Sequence, residues 1–564
     1  MIPSLVLAAA FLHNLHYSWR KWGDLVVDSG RELEVAKLVG QGALLYRDVR
    51  HYYGPLAPYL DGALFALFGV HAGVLMAAGV ASAAAMAVLL YLLARRLSDR
   101  VTATVVATAF LYLCAFGHYY FNAIFTWVLP YTYSATYAML AATASLYLLV
   151  RYVQEGRRRD LRLSVAALAL AALGKPEVFA VAAATHLTFV ATERPRLGAY
   201  AAGAAATLAV FGVFWLALGP RLLDDYLSFA LSAKFRPSLL LHMGLADWTQ
   251  ALPSLWASAR ALGEAVLLLL VLALVQSQPW MPAWGVWVTG MLGAAGTAVV
   301  YGRLDVFTQW RVLPFLLAVL LAQQVAYWWR AGTERRLALP HLLMLVFALA
   351  SLGRTPLTTG AFHYGFYLLP VPLLAFGVFW FRYLPGWLPG RPTRLAAACG
   401  VGLFAAVVFR HYQTSRALYD RHNTVVRTPR GAMCILDDLA GFPVGRAYAD
   451  TVQLLSRYPP ETRVLVIPEG VGLTFMSGLT SVCGMHSFMP QELDGPFEDR
   501  LLACLTAAPP DLVVRVGLNL GEQGSRGFGE DYAQKVATWI VAHYEPLAQI
   551  GPGGYVLVLR RHPA

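Results

Sequence analysis

The sequence predicts an α-helical polytopic membrane protein of about thirteen transmembrane helices, with a C-terminal α/β domain outside the bilayer. Three observations predict it. The 564 residues are 58% hydrophobic and only 13% charged, with a mean hydropathy of +0.54, whereas a soluble chain carries roughly 25% charged residues. Apolar runs of bilayer length recur through residues 1–410. From 411 to 564 polar and apolar residues mix in short segments. This composition excludes a disordered chain, a disulfide-framed secreted domain and an ordinary cytosolic enzyme.

A span needs roughly 20 predominantly apolar residues. Such runs fall near 2–19, 71–94, 101–117, 133–150, 162–174, 177–192, 199–219, 259–276, 283–301, 312–329, 338–353, 366–381 and 394–410. The first has no charged start and no A-x-A site before Trp19-Arg20-Lys21, so it reads as a retained helix rather than a cleaved leader. Arginine placement orients the set. With the N-terminus inside, the inner loops hold sixteen arginines, among them Arg95, Arg96, Arg100, Arg151, Arg157, Arg335, Arg336, Arg382 and Arg391. The short outer loops hold only Lys175, Arg303, Arg311 and Arg354, and two longer outer loops add nine more cations. The bias is one of density, and it places the C-terminal domain outside. The +12 net charge is therefore a record of orientation. No basic patch interleaved with aromatics lies on a soluble face, so no nucleic-acid partner is expected.

In residues 411–564 the runs Arg463–Ile467, Asp511–Arg515 and Tyr555–Leu559 read as strands, with helical stretches such as Tyr532–His543 between them. Five cysteines show no zinc-ligand spacing. One bridge among Cys434, Cys483 and Cys504 suits an extracytoplasmic domain, and spacing does not choose the pair. His486, Glu492, Asp494 and Glu498 have no spacing that enforces a catalytic set, so acceptor binding or regulation is the expected work of this domain.

Chemistry is expected at the outer boundary. Residues 71–94, 101–117 and 199–219 contain no Asp, Glu, Lys or Arg, which disfavours an ion-coupled transporter. The first outer loop, within 20–70, is the richest stretch. It carries Val27-Asp-Ser-Gly-Arg-Glu32, Gly42-Ala-Leu-Leu-Tyr-Arg-Asp48, Tyr52-Tyr-Gly-Pro-Leu-Ala-Pro-Tyr59 and Leu67-Phe-Gly69. Asp28 and Glu32 are four apart, so a helix puts both carboxylates on one face. The competing reading makes Asp28 a helix cap and Glu32 a surface ion-pair partner. The second outer loop, Gly117–Tyr133, is aromatic and nearly uncharged. His118, Asn122 and Trp127 there could bind sugar, or the loop could be an interfacial aromatic belt. Asp224–Leu241 reads as an amphipathic helix on the bilayer surface.

The four first-loop elements, in this order, resemble the GT-C superfamily of membrane glycosyltransferases. The likeness is to bacterial members related to the protein mannosyltransferases and the lipid A aminoarabinose transferase. Gly174-Lys-Pro-Glu177, Arg427-Thr-Pro-Arg430 and Val466-Ile-Pro-Glu-Gly470 continue it more loosely. Gly302-Arg-Leu-Asp305 resembles a further element but lacks the histidine that follows it in the family. The resemblance implies transfer of a sugar from a polyprenyl-phosphate donor to an acceptor on the outer face of a bacterial plasma membrane, with inversion. Residues 1–410 would be the catalytic domain. Asp28 would be the catalytic base and Glu32 second to it. Lys175, Arg303, Arg311, Arg354 and His363 would be the candidates for binding the donor phosphate. Tyr52, Tyr53, His118, Asn122 and Trp127 would face sugar or acceptor, the latter an envelope glycan, lipid or protein. Some GT-C members need a divalent metal. Here Asp28, Glu32 and Asp48 are the only oxygen donors to suggest one, and the expectation is against an obligatory metal. Competing readings are transfer of a whole lipid-linked glycan, a lipid or glycan transporter, and a non-catalytic glycan receptor.

Overall fold

The computed structural model describes residues 2–563 except 196, 224–225, 227–234, 440–442, 494–495 and 522–523. Each of the thirteen apolar runs is helical over most of its length. Seven helices among the described residues are long and apolar enough to cross a membrane: Ala72–Leu97, Tyr133–Glu155, Gly198–Leu218, Ala251–Gln276, Ala283–Gly302, Arg335–Arg354 and Thr393–Tyr419. The other runs are shorter or broken. Run 101–117 ends in a π-helical turn at Leu111–Ala115, and run 366–381 divides into Gly365–Leu368, Pro370–Val378 and a π turn at Phe379–Tyr383. Pro370 lacks an N–H, so it starts a new helix more readily than it continues one. Gly198–Leu218 buries only Phe214 and leaves Leu208 and Leu216 bare, the pattern of a helix whose partner is lipid. The surface helix expected over Asp224–Leu241 lies mainly outside the described residues, and its end is the helix Phe235–Met243.

Thr393–Tyr419 runs nine residues past the apolar run that announces it. Its polar extension continues because His411, Ser415 and Tyr419, spaced by four, are buried along one stripe. Ser415 Oγ accepts the His118 N–H at 2.9 Å, so the stripe seats the second outer loop.

The C-terminal domain has a hairpin of β1 (Thr424–Thr428) and β2 (Gly431–Ile435). A five-stranded sheet follows, built from β3 (Arg463–Ile467), β4 (Thr480–Ser481), β5 (Leu512–Val516), β6 (Tyr544–Ile550) and β7 (Val556–Arg561) in the order β4-β3-β5-β7-β6. β3 is parallel to β4 and β5, whereas β7 is antiparallel to β5 and β6. The three runs read as strands are β3, β5 and β7. The cysteine bridge is Cys483–Cys504, with Cα atoms 5.9 Å apart, and Cys434 is free.

This domain is docked on the helical part. Backbone N–H groups of Ala72 and Cys434 donate to the carbonyls of Arg430 and Arg20, and Arg50 N–H donates to Gly484. The first outer loop forms the helices Ser29–Gly40 and Leu56–Phe68. Phe65 stacks on Phe475 at 6.2 Å between centroids. The closest approach is between glycines: a Cβ on Gly30 would lie 2.4 Å from Gly472 N, and one on Gly472 would lie 2.3 Å from the Leu25 carbonyl oxygen. Only backbone meets backbone there, so no side chain can yield. Gly30→Ala should therefore cost roughly 1–3 kcal/mol and lower the thermal unfolding midpoint of the detergent-solubilised protein by several degrees. An unchanged midpoint would show that the two helices do not meet.

Candidate active site

The site is a cleft of about 1200 Å³ lined by the first outer loop, the second outer loop, residues 355–364 and the C-terminal domain. Asp28 lies on its wall at the start of Ser29–Gly40. The chain reaches Asp28 through a local order set by Asp24, whose Oδ1 accepts the N–H groups of Val26 at 2.7 Å and Val27 at 3.0 Å. Asp28 itself has φ 51° and ψ −57°, and Ser29 N–H donates to the Val27 carbonyl at 2.6 Å. That is a γ-turn of the rare positive-φ form, costly for a residue with a Cβ. The side chain makes no cap bond to its helix, so the simple capping role does not describe it. Instead Oδ1 accepts from Arg31 Nη2 at 2.6 Å, and 24% of the side chain stays open to the cleft.

Around this pair stand two acids from the C-terminal domain. The Asp28 N–H donates to Glu469 Oε1 at 3.0 Å. Glu492 Oε1 lies 3.7 Å from Arg31 Nη1. Burial raises the Asp28 carboxyl above its usual range, Arg31 draws it back, and Glu492 and Asp24 push it further up. Burial, then Asp28 and Glu492, raise Glu469 well above the carboxylate range. Burial alone would lower Arg31, but Asp28, Glu492 and Glu469 hold it firmly charged. Asp28 and Glu469, crowded around one guanidinium, titrate as a coupled pair whose proton affinity exceeds that of free carboxylates.

At another part of the cleft wall stand Tyr53, Tyr131 and Tyr364. Behind them Lys175 is 1% exposed. Its Nζ lies 3.1 Å from Glu177 Oε1 and 3.2 Å from the Tyr367 hydroxyl, and it donates to the Tyr131 hydroxyl. The rings of Tyr53, Tyr131 and Tyr367 sit 4.8–4.9 Å from Nζ. Burial lowers Lys175 to about 8, with Glu177 opposing the fall. Pro176 sits at the first position of Pro176–Glu193, which sets Lys175 just ahead of that helix. Arg354 pairs with the same Glu177 and packs over the Tyr364 ring at 3.9 Å.

Of the residues predicted from sequence, Asp28, Tyr52, Tyr53, Asn122 and His363 line the cleft. His363 stacks on Phe125 and His242 at 4.3 and 4.1 Å between centroids. Lys175 and Arg354 stand behind its tyrosines. The others do not join them. Glu32 turns inward, and its Oε2 accepts the Tyr133 N–H at 2.7 Å at the start of Tyr133–Glu155. Arg303 is exposed and does not line the cleft. Arg311 is held by Ser254 Oγ and the Ala251 carbonyl, also away from it. Trp127 and His118 correct the sugar-facing expectation. Trp127 is fully buried with Nε1 donating to the Phe366 carbonyl at 3.0 Å, and His118 faces His422 at 3.0 Å between Nε2 atoms. Trp127 and His118 fold into the core because burying their rings gains more than spreading them along an interface, whereas Tyr120 and Phe121 of the same loop stay exposed. Asp48 pairs with Arg47 on the surface. Asp28, Glu32 and Asp48 thus do not converge as metal ligands, and no group of three or more His, Cys, Asp or Glu among the described residues is placed to hold a metal ion.

Sequence reasoning passed over Asp24, Arg31, Tyr131, Tyr364, Glu469 and Glu492 as cleft residues. For Glu469 the signal was present in Val466-Ile-Pro-Glu-Gly470, although nothing in its spacing tied it to Asp28.

Fold and cleft together define a multi-pass helical membrane protein with a carboxylate-and-cation cleft where its bundle meets an α/β domain. Residues 53–216 match the family model described as dolichyl-phosphate-mannose-protein mannosyltransferase, in agreement with the GT-C resemblance of the first loop. The chain is similar to ArnT from Cupriavidus metallidurans, in the apo state (13% identity, 100% of this chain and 99% of that one, TM-score 0.45) and bound to undecaprenyl phosphate (13%, 100% and 99%, 0.44). It is also similar to the oligosaccharyltransferase AglB from Archaeoglobus fulgidus in complex with an inhibitory peptide and a dolichol-phosphate (13%, 99% and 74%, 0.48). No curated protein matches the chain.

Glu32 yields a pH prediction. Burial raises it from 4.5 to about 7, against the pull of Arg31 and the Tyr133 N–H. The folded state then binds this proton more tightly than the unfolded one. Its contribution to stability is full below about pH 4.5 and is lost as pH rises through about 7. Glu32→Gln keeps an acceptor for Tyr133 and removes the ionisation. Above neutral pH it should stabilise the protein by up to roughly 3 kcal/mol, flattening the unfolding midpoint against pH. An unaltered pH profile would refute this.

Proposed function

We propose that the protein is an inverting glycosyltransferase that moves a sugar from a polyprenyl-phosphate donor to an acceptor at the outer membrane boundary. The observation that carries this reading is Asp28: a strained, partly open carboxylate of raised proton affinity on a 1200 Å³ cleft, with the cations Lys175 and Arg354 behind another part of its wall. The family match over residues 53–216 supports the donor class.

In this reading the acceptor, a hydroxyl of a glycan, lipid or protein, lies against Asp28. Its oxygen attacks the anomeric carbon from the face opposite the phosphate. The new C–O bond forms as the bond to the phosphate oxygen breaks, and Asp28 takes the acceptor proton. One displacement inverts the centre and needs no second nucleophilic carboxylate. The lipid phosphate leaves with its charge met by Lys175 and Arg354, reached past Tyr53, Tyr131 and Tyr364. Arg31 orients Asp28, and Glu469 holds the strained turn through the Asp28 N–H.

The test is sugar transfer by the full chain in vesicles, supplied with polyprenyl-phosphate sugars and an envelope extract as acceptor. Asp28→Asn should lower kcat by roughly 10²–10⁴ while the protein stays monodisperse. Full activity in that variant would reject the assignment. Wild-type activity should rise with pH through a value above the ordinary Asp range of 3.8, because the base works only when deprotonated. Lys175→Met and Arg354→Met should raise KM for the donor about tenfold or more and slow turnover. Wild-type donor KM in both would remove the phosphate role.

A further inference from the structure

A second cavity, of about 850 Å³, lies at the opposite end of the same helices. Ala72–Leu97 and Tyr133–Glu155 begin beside the first cleft, where Ala72 is bonded to Arg430 and Tyr133 to Glu32. They finish roughly 35–40 Å away at 1.5 Å per residue. Arg335–Arg354 runs the other way, from this second cavity to the Lys175 network. Arg96, Arg336, Arg382, His341, Tyr327 and Tyr383 line the cavity.

Its charges are unevenly satisfied. Arg96 is spent on Gln154 at 2.9 Å and Glu155 at 2.6 Å. Glu155 is the one acid of the lining, and Arg157 at 3.0 Å and Arg151 at 3.8 Å also face it. Among the described residues Arg336 has only Glu193 as an ion-pair partner, at 3.7 Å. Arg382 is exposed and makes no hydrogen bond or ion pair among the described residues. The Tyr383 hydroxyl is buried without a hydrogen-bond partner among the described residues. His341 Nε2 lies 2.9 Å from the Leu97 carbonyl, which can only accept, so that nitrogen carries a proton. The cavity therefore offers two guanidinium groups and one hydroxyl to an anion. Bare apolar surface adjoins it: Leu337 of the lining is 72% exposed, and Trp329 and Trp387, close in sequence to lining residues, are 70% and 52% exposed. A free anion would have no use for that apolar surface, whereas acyl chains would.

We propose that this cavity binds the headgroup of an anionic phospholipid from the leaflet at the arginine-rich end, with Arg336 and Arg382 on its phosphate and Tyr383 donating to it. The site is separate from the transfer cleft and does not depend on the reaction proposed there.

Native mass spectrometry of the full chain tests it, with phosphatidylglycerol or phosphatidylcholine titrated into detergent. The wild type should retain one phosphatidylglycerol in preference to phosphatidylcholine. R336Q/R382Q should weaken that binding about tenfold. R382Q alone, which breaks no hydrogen bond or ion pair among the described residues, should weaken it about threefold or more. R391Q/R394Q, two exposed arginines outside the cavity, should stay within about twofold of wild type. Equal weakening in the control pair would mean diffuse attraction and would overturn the site. So would unchanged binding in R382Q. Displacement by glycerol phosphate at the lipid's own concentration would overturn the lipid assignment in favour of a free phosphate.

Discussion

The contact between Gly30 and Gly472 is the constraint on which the cleft depends. It brings the first turn of one short helix against the first turn of another from a different part of the chain, with no side chain between them. Arg31 and Asp28 lie beside one glycine, and Glu469 lies three residues before the other. The bond from the Asp28 N–H to Glu469 follows from that closeness. A γ-turn at a residue with a Cβ is unfavourable alone, and it persists because both sides are held.

From that contact the electrostatics follow. Docking a domain onto the loop removes water from three carboxyls and a guanidinium at once. Arg31 stays charged because acids surround it, and Asp28 gains proton affinity because burial, with Glu492 beside it, outweighs the pull of Arg31. The cations of Lys175 and Arg354 are separated from the acids by tyrosine rings and share Glu177 between them. Were Lys175 beside Asp28, each would neutralise the other. The separation leaves a proton acceptor on one wall and positive charge behind another, the arrangement the proposed transfer uses.

The two ends of the helical part differ in the same economy of charge. At the cleft, Arg31, Lys175 and Arg354 are largely buried and each faces a carboxylate. At the other end arginines are many and largely bare, and only a few converge on a cavity. In the proposed lipid site, a residue type expected from sequence mainly to record topology takes a binding role where helix ends bring several copies together.

Much of this was legible in the residues alone. Apolar runs located every long helix, because a bilayer-length stretch without charge has few other stable conformations. Strands β3, β5 and β7 were visible as short β-branched runs. The first-loop motifs pointed to Asp28, and Gly174-Lys-Pro-Glu177 to Lys175. What sequence could not rank was burial among similar residues. Glu32 is four residues from Asp28, yet Asp28 sits in a γ-turn ahead of the helix, so the two do not share a face and Glu32 turns to the Tyr133 N–H. His118 and Trp127 look like sugar-facing groups until the extension of Thr393–Tyr419 seats their loop in the core. The four outer cations were equivalent on paper, and only helix packing put Lys175 and Arg354 behind one wall and left Arg303 and Arg311 elsewhere. Sequence by itself determined which segments avoid water and where charge is tolerated, since both are local properties of composition. Tertiary structure alone decided that Glu469, 441 residues from Asp28, is its neighbour, because that proximity arises from two backbones meeting where neither carries a side chain.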